Sequence, residues 1–253
     1  KICVIDGKVG FTGGINLADE YINRRERFGH WKDTAIMLEG DAVRSLTIMF
    51  LQMWNIGEKK INDYDKYLLP PAQEFDPKDG YVLPYGDNPY DNENVGEEVY
   101  FHILNHAKEY VHIMTPYLIL DNEMTKTLAR VAKSGMEVII IMPHIPDKPY
   151  AFAVAKTFYK EIYEYTPGFV HAKVFVSDDD TATVGTINLD YRSLYLHFED
   201  GVFIYNNEVI ADIEQDFQET LLKCRSVTLK DVQKRTMKEK IEGQVLRLFA
   251  PLM

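Results

Sequence analysis

The sequence predicts an α/β protein built from two related half-domains, each a mixed β-sheet flanked by helices, with the first half truncated. Three observations predict it. The chain matches itself: KICVIDGKVGFTGGINL (1–17) and KVFVSDDDTATVGTINL (173–189) share a Lys, an Asp and a Gly-x-Ile-Asn-Leu run at equal offsets, which marks a duplicated unit. Both copies continue alike. DTAIMLEGDAVRSLTIMFLQMW from Asp33 and DGVFIYNNEVIADIEQDFQETLL from Asp200 each read as strand, turn and amphipathic helix. Finally, apolar strand-length runs alternate with helical stretches through the second half, which requires a sheet with helices packed on it.

The elements follow in order. KICVIDG (1–7) is an apolar strand ending in an Asp-Gly turn; chains seldom begin in mid-strand, so upstream sequence is expected to be missing. Residues 1–67 form the remainder of the first half-domain. Residues 68–94 (LLPPAQEFDPKDGYVLPYGDNPYDNEN) are rich in Pro, Gly, Asp and Asn and read as a long surface connection. The second half-domain, 95–225, holds a helix at about 95–108, strand VHIMTP (111–116), and a helix from the N-cap candidate Asp121 to about 134. Gly135 stops that helix. Strand MEVIIIMP (136–143), a helix at about 150–160 and the motif strands follow. Residues 226–253 form a charged C-terminal helix and an apolar tail, which either dock on the domain or touch a membrane surface.

Composition narrows the chemistry. A 46% hydrophobic chain has a real core, and 39 acidic against 28 basic residues, net −11, argue against a basic nucleic-acid-binding face. Any phosphate chemistry must rest on a few local cations. Two cysteines, Cys3 and Cys224, are too few for a disulfide framework and fit a reducing compartment. No apolar run approaches the roughly 20 residues of a membrane span; 41–54 is broken by Asp41, Arg44 and Gln52. Histidines 30, 102, 106, 112, 144 and 197 are scattered without metal-ligand spacing, so no metal or other cofactor is expected.

The stretch PGFVHAKVFVSDDDTATVGTINLDYRS (167–193) places His171 and Lys173 two residues apart among Val170, Val174 and Val176. On a strand they share a face, and a Lys buried there needs an anion to compensate its desolvation. A phosphate oxygen would do so. Alone, the pair could be a surface strand with its Lys in solvent. It is not alone: Gly185, Thr186 and Asn188 end the next strand, where small residues and an amide can approach a ligand. Lys1, Gly13, Gly14 and Asn16 repeat the pattern. Joined across a pseudo-twofold axis, the copies would place two lysines and two asparagines around one phosphoryl group.

His171-Ala-Lys173-x4-Asp178-x6-Gly185-Thr186-x-Asn188 resembles the HxKx4Dx6GSxN signature of the phospholipase D superfamily, with Thr186 at the Ser position. Lys1, Asp6, Gly13 and Asn16 resemble the other copy, whose histidine would lie two positions before residue 1. FTGGINLADEY, YEYTPGFVHAK, VGTINLDYRSLYLHFE, TPYLILDNEM and RLFAPLM resemble bacterial cardiolipin synthases, and the likeness runs along the whole chain.

The resemblance implies a phospholipase D-like fold and transfer of a phosphatidyl group between two phosphatidylglycerol molecules, giving cardiolipin and glycerol through a phosphohistidine, without metal or nucleic acid. It implies a bacterial cell membrane location with the catalytic part facing the cytoplasm. The first copy's histidine would be the nucleophile and His171 the general acid and base. Lys1, Lys173, Asn16 and Asn188 would hold the non-bridging oxygens. Glu199 would orient His171 and Asp33 the other histidine; aligning the copies directly pairs Asp33 with Asp200, one residue away, and the resemblance favours Glu199. Asp6 and Asp178 belong to the motif and are expected to hold the strand ends. Three departures stand out. The first histidine and the family's N-terminal membrane helices lie outside residues 1–253, so this chain alone is expected to be inactive, and KTFYKEIYEYTPGF (156–169) is shorter than the family pattern, implying a rearranged approach to His171. The alternatives are a phospholipase D-type hydrolase and a non-catalytic lipid-binding remnant.

Overall fold

The computed structural model describes residues 1–58, 63–70, 80–155, 157 and 162–252. The repeat read from the sequence is a repeat of hairpins. Strand β1 (Cys3–Ile5) pairs antiparallel with β2 (Val9–Gly13), as β10 (Val174–Ser177) pairs with β11 (Thr181–Gly185). Their registers agree residue for residue, Cys3 opposite Phe11 and Phe175 opposite Thr183. The turns agree too: Asp6 and Gly7, like Asp178 and Asp179, have φ between 52° and 65°, the left-handed pair of a type I′ turn that suits a right-twisted hairpin. Each hairpin gains a third antiparallel strand, β4 (Ala35–Glu39) or β12 (Glu199–Tyr205), followed by a helix, α1 (Ala42–Gly57) or α5 (Val209–Leu221).

The first sheet has the order β1-β2-β4. The second has eight strands. Beyond β10 it continues through β6 (Tyr110–Met114), β7 (Glu137–Pro143) and β8 (Ile162–Tyr165), which are mutually parallel, to β13 (Cys224–Val227). Its other edge is β5 (Tyr81–Asp87), paired along its whole length with β12. This corrects the reading of 68–94 as surface connection; residues 71–79 lie outside the described residues. Pro84 and Gly86 hid the strand, and Pro is tolerated there because an edge strand has a neighbour on one side only.

Helices α2 (Val95–His106) and α3 (Asn122–Lys133) cover one face of this sheet. Asp121 caps α3 as expected, its carboxylate accepting from Met124 N at 2.7 Å. The other face packs on the first half: Val174, Val176, Val184 and Val202 share a core with Ile36, Leu38, Val43 and Leu46. Phe175 points into the opposite core. Strands buried on both faces read as continuous apolar runs, which accounts for VFV and VIIIM. Helix α4 (Pro149–Ala155) is the described part of the helix expected over 150–160; residues 156 and 158–161 lie outside the described residues. The single C-terminal helix expected is two, α6 (Leu229–Gln233) and α7 (Met237–Arg247), because Thr228 and Thr236 each start a fresh helix with a capping box. Helix α7 packs on α4.

Asp178 is a clamp at the turn. Its carboxylate accepts from the backbone N–H of Lys108, Glu109 and Tyr110 at 2.6–3.0 Å. Asp178→Ala is expected to cost about 2 kcal/mol of stability in chemical denaturation while leaving turnover per folded molecule unchanged. Lost turnover at unchanged stability would return this residue to the chemistry.

Candidate active site

The two halves meet along a short parallel pairing, β3 (His30–Lys32) with β9 (Gly168–Val170). His171 and Lys173 lie between β9 and β10, not inside one strand as their spacing suggested. The backbone changes partners there. His171 N still donates to Lys32 O at 2.7 Å, extending the pairing with β3, whereas Lys173 O accepts from Gly185 N at 3.2 Å, the first rung of the ladder with β11. That switch puts both side chains at the seam between the halves.

The partner of His171 comes from the other half. His171 Nδ1 and Asp33 Oδ2 are 2.8 Å apart, with both side chains almost fully buried. Asp33 Oδ1 accepts from Thr34 N at 2.9 Å. Burial works against the Asp33 carboxylate, but the hydrogen bond with His171 and the charge of Lys173 outweigh it and hold its pKa below the usual value. This corrects the assignment of Glu199 to His171. Glu199 accepts from Thr186 Oγ1, and its other oxygen lies 3.7 Å from His197. The ladders settle the choice between Glu199 and Asp200: Gly13 is opposite Ala35 as Gly185 is opposite Gly201, so Asp33 corresponds to Glu199. Asp200 instead accepts from Thr12 of the first half.

Lys173 is 3% exposed and has no carboxylate within ion-pair distance among the described residues; its ammonium donates to the His171 carbonyl. Burial, aided by Lys1, pulls its pKa down to about 7. Burial and the neighbouring Lys173 likewise push His171 down to about 4, although Asp33 pulls it up. Lys173 is thus a buried cation without a direct ion pair among the described residues, a setting that a bound anion would relieve.

Close backbone approach fixes the small residues. A Cβ on Gly14 would stand 2.0 Å from Asp33 Oδ1 and 2.9 Å from the His171 carbonyl oxygen, so only Gly lets the halves close here. Gly13 and Gly185 press instead on the backbones of β4 and β12, so their missing side chains serve strand packing more than ligand approach. Asp6 and Asp178, placed with the motif by sequence, sit at the far ends of their strands, about 15 Å of extended chain from Lys1 and Lys173.

Sequence reasoning missed an aromatic collar. Tyr21 meets the His171 ring edge-on at 5.2 Å, and Trp31 and Phe169 lie at 5.6 and 6.0 Å. Asn16 donates its side-chain amide to Tyr21 Oη, and Asn188 donates to Ser193 Oγ at 2.9 Å. Both partners lie five residues after their asparagine, a signal that extending the repeat alignment would have exposed.

This two-part α/β architecture is a phospholipase D-like fold. The chain matches phosphatidylserine synthase of Haemophilus influenzae Rd KW20 with a TM-score of 0.69 at 14% identity, over 100% of this chain and 70% of that one. Residues 100–221 match the family described as "Cardiolipin synthase, PLD-like domain". The fold is thus phospholipase D-like, and residues 100–221 carry the likeness to the cardiolipin synthase family. It is similar along its whole length to the cardiolipin synthase of Geobacillus sp. (strain WCH70), 34% identical over 100% of this chain and 52% of the relative, and to that of Clostridium perfringens (strain 13 / Type A), 36% identical over 100% and 55%. A Streptococcus mutans protein called uncharacterised is 55% identical over 100% of this chain and 56% of its own length. The chain thus spans about half the length of the curated relatives it matches.

Proposed function

We propose that this chain is the catalytic region of a phosphatidyltransferase that joins two phosphatidylglycerol molecules into cardiolipin and releases glycerol. The observation that carries the proposal is His171, oriented by Asp33 across the seam beside a buried Lys173 without an anionic partner. The histidine of the first motif attacks the phosphodiester phosphorus, forming a P–N bond as the P–O bond to glycerol breaks. His171, protonated for that step, donates its proton to the departing glycerol oxygen. Now neutral, it removes a proton from the hydroxyl of the second phosphatidylglycerol, whose oxygen displaces the histidine from phosphorus. Lys1, Lys173, Asn16 and Asn188 stabilise the charge that gathers on the non-bridging oxygens. Phosphate charge beside His171 raises its proton affinity and so permits the acid role of a residue that is neutral in the empty site.

Glu199, the counterpart of Asp33, orients the histidine of the first motif. The chain functions in a bacterial cell membrane with this part facing the cytoplasm, and phosphatidylglycerol and cardiolipin are its lipid partners. No described helix is long and apolar enough to cross a membrane, so the proposal assigns anchoring to sequence outside residues 1–253.

The test is product analysis with the full-length protein, in detergent with phosphatidylglycerol and a chelator, beside His171→Ala. Cardiolipin and glycerol in equal amounts, abolished in the variant, are expected. Phosphatidic acid alone would make the protein a hydrolase, and no turnover by folded protein would make it a non-catalytic lipid-binding remnant.

A further inference from the structure

The two asparagines of the seam are held alike but not equivalently. In each copy the residue five positions on receives the amide, Tyr21 for Asn16 and Ser193 for Asn188. The second hydroxyl is already committed, because Ser193 lies in the local network of Asp190, whose carboxylate also accepts from Ser193 N at 2.8 Å. Tyr21 differs. Its oxygen accepts from Asn16, and no acceptor for its proton is found among the described residues.

The ring that carries this hydroxyl is held by its neighbours. The Tyr21 ring stacks obliquely on Trp31 at 4.4 Å and meets the His171 ring at 5.2 Å and 86°, so a first-half side chain borders the second half's histidine. Burial raises the phenol's pKa above its usual value, which leaves it a neutral donor at physiological pH. Asn16 and Tyr21 therefore present one amide N–H and one O–H side by side at the border of His171, neither with an acceptor among the described residues.

We propose that Tyr21 is a phosphate-binding residue: its hydroxyl, fixed by the amide of Asn16, donates to a non-bridging oxygen of the phosphoryl group held at the seam. This rests on the phosphate site proposed above and adds to it a donor that the second copy lacks. The cradle is thus asymmetric, with an extra donor on the side of the first motif. Tyr21 and Asn16 act as one unit, because each fixes the other.

Inorganic phosphate is the probe, and calorimetry on the full-length protein gives its affinity without turnover. Four proteins are compared: wild type, Tyr21→Phe, Asn16→Ala and the double variant. Tyr21→Phe retains the ring and its packing on Trp31 and His171, so an unchanged melting temperature certifies the fold. Expected is a loss of affinity of about tenfold for Tyr21→Phe, typical of a hydrogen bond to a charged group, a similar or larger loss for Asn16→Ala, and a double variant no weaker than Asn16→Ala alone. In turnover assays, Tyr21→Phe should reduce kcat/KM comparably while the pH limb set by His171 stays in place. Wild-type affinity in Tyr21→Phe, or losses that multiply in the double variant, would overturn the role of Tyr21 while leaving the phosphate site standing. Absence of phosphate binding by the wild type would overturn both.

Discussion

Asp33→Asn is expected to lower turnover by about 10³-fold or more, the scale seen when a histidine loses the carboxylate that sets its tautomer and stabilises its imidazolium. The substitution conserves volume and leaves the seam closed around Gly14. It removes the carboxylate charge and, with the amide oxygen kept on Thr34 N, turns an NH2 donor toward His171 Nδ1 in place of the acceptor at 2.8 Å. It also has a direction in pH. Burial and Lys173 push His171 down to about 4 and Asp33 opposes them, so without Asp33 the pKa falls further. In the second half-reaction His171 acts as base and must be neutral, so transfer from the phosphohistidine fails below its pKa; the acid limb of that step therefore moves to lower pH in the variant. Glu199→Gln is the control: it should slow turnover through the first motif's histidine and leave that limb where it was. Should Glu199→Gln move the limb, or Asp33→Asn turn over normally, the pairing across the halves would be wrong.

Lys173→Met is expected to abolish measurable turnover, a loss of roughly 10³-fold for a charge aimed at the developing oxyanion, and at the same time to raise the melting temperature by about 5 °C. The two effects have one cause. Lys173 is buried with no carboxylate within ion-pair distance among the described residues, so its ammonium is a cost to the fold that a bound anion would offset. Its pKa is about 7 folded and near 10.5 unfolded. Between those values the unfolded chain binds the extra proton, so this group's penalty is complete below pH 7 and fades as pH rises toward 10.5. The stability gain of Lys173→Met over wild type should accordingly be largest at and below pH 7 and shrink in alkali. Thermal melts at pH 6 and pH 9.5 check this, and a variant less stable than wild type at pH 6 would mean that Lys173 is internally compensated.

Much of this architecture was legible along the chain because hairpin geometry is local. Equal offsets from Lys to Asp to Asn oblige equal registers, and Asp6 and Asp178 fall on turns since Asp accepts the left-handed conformation there. Strand β5 was not legible, because an edge position relaxes the rules that Pro84 and Gly86 break. Nor was the division of the C-terminal helix, where Thr236 recaps the chain inside what reads as one amphipathic run.

The ingredients of the candidate site are written along the chain: two copies of a cation and an amide, carried on equivalent hairpins, with Asp33 and Glu199 available to them. Which carboxylate meets His171 depends on how the two halves dock. His171 and Asp33 are 138 residues apart and meet because β3 pairs with β9 and Gly14 lets the halves close. The same packing brought Tyr21 to His171. Spacing along a strand fixes which face a side chain occupies, but only the docking of two sheets fixes what that face meets.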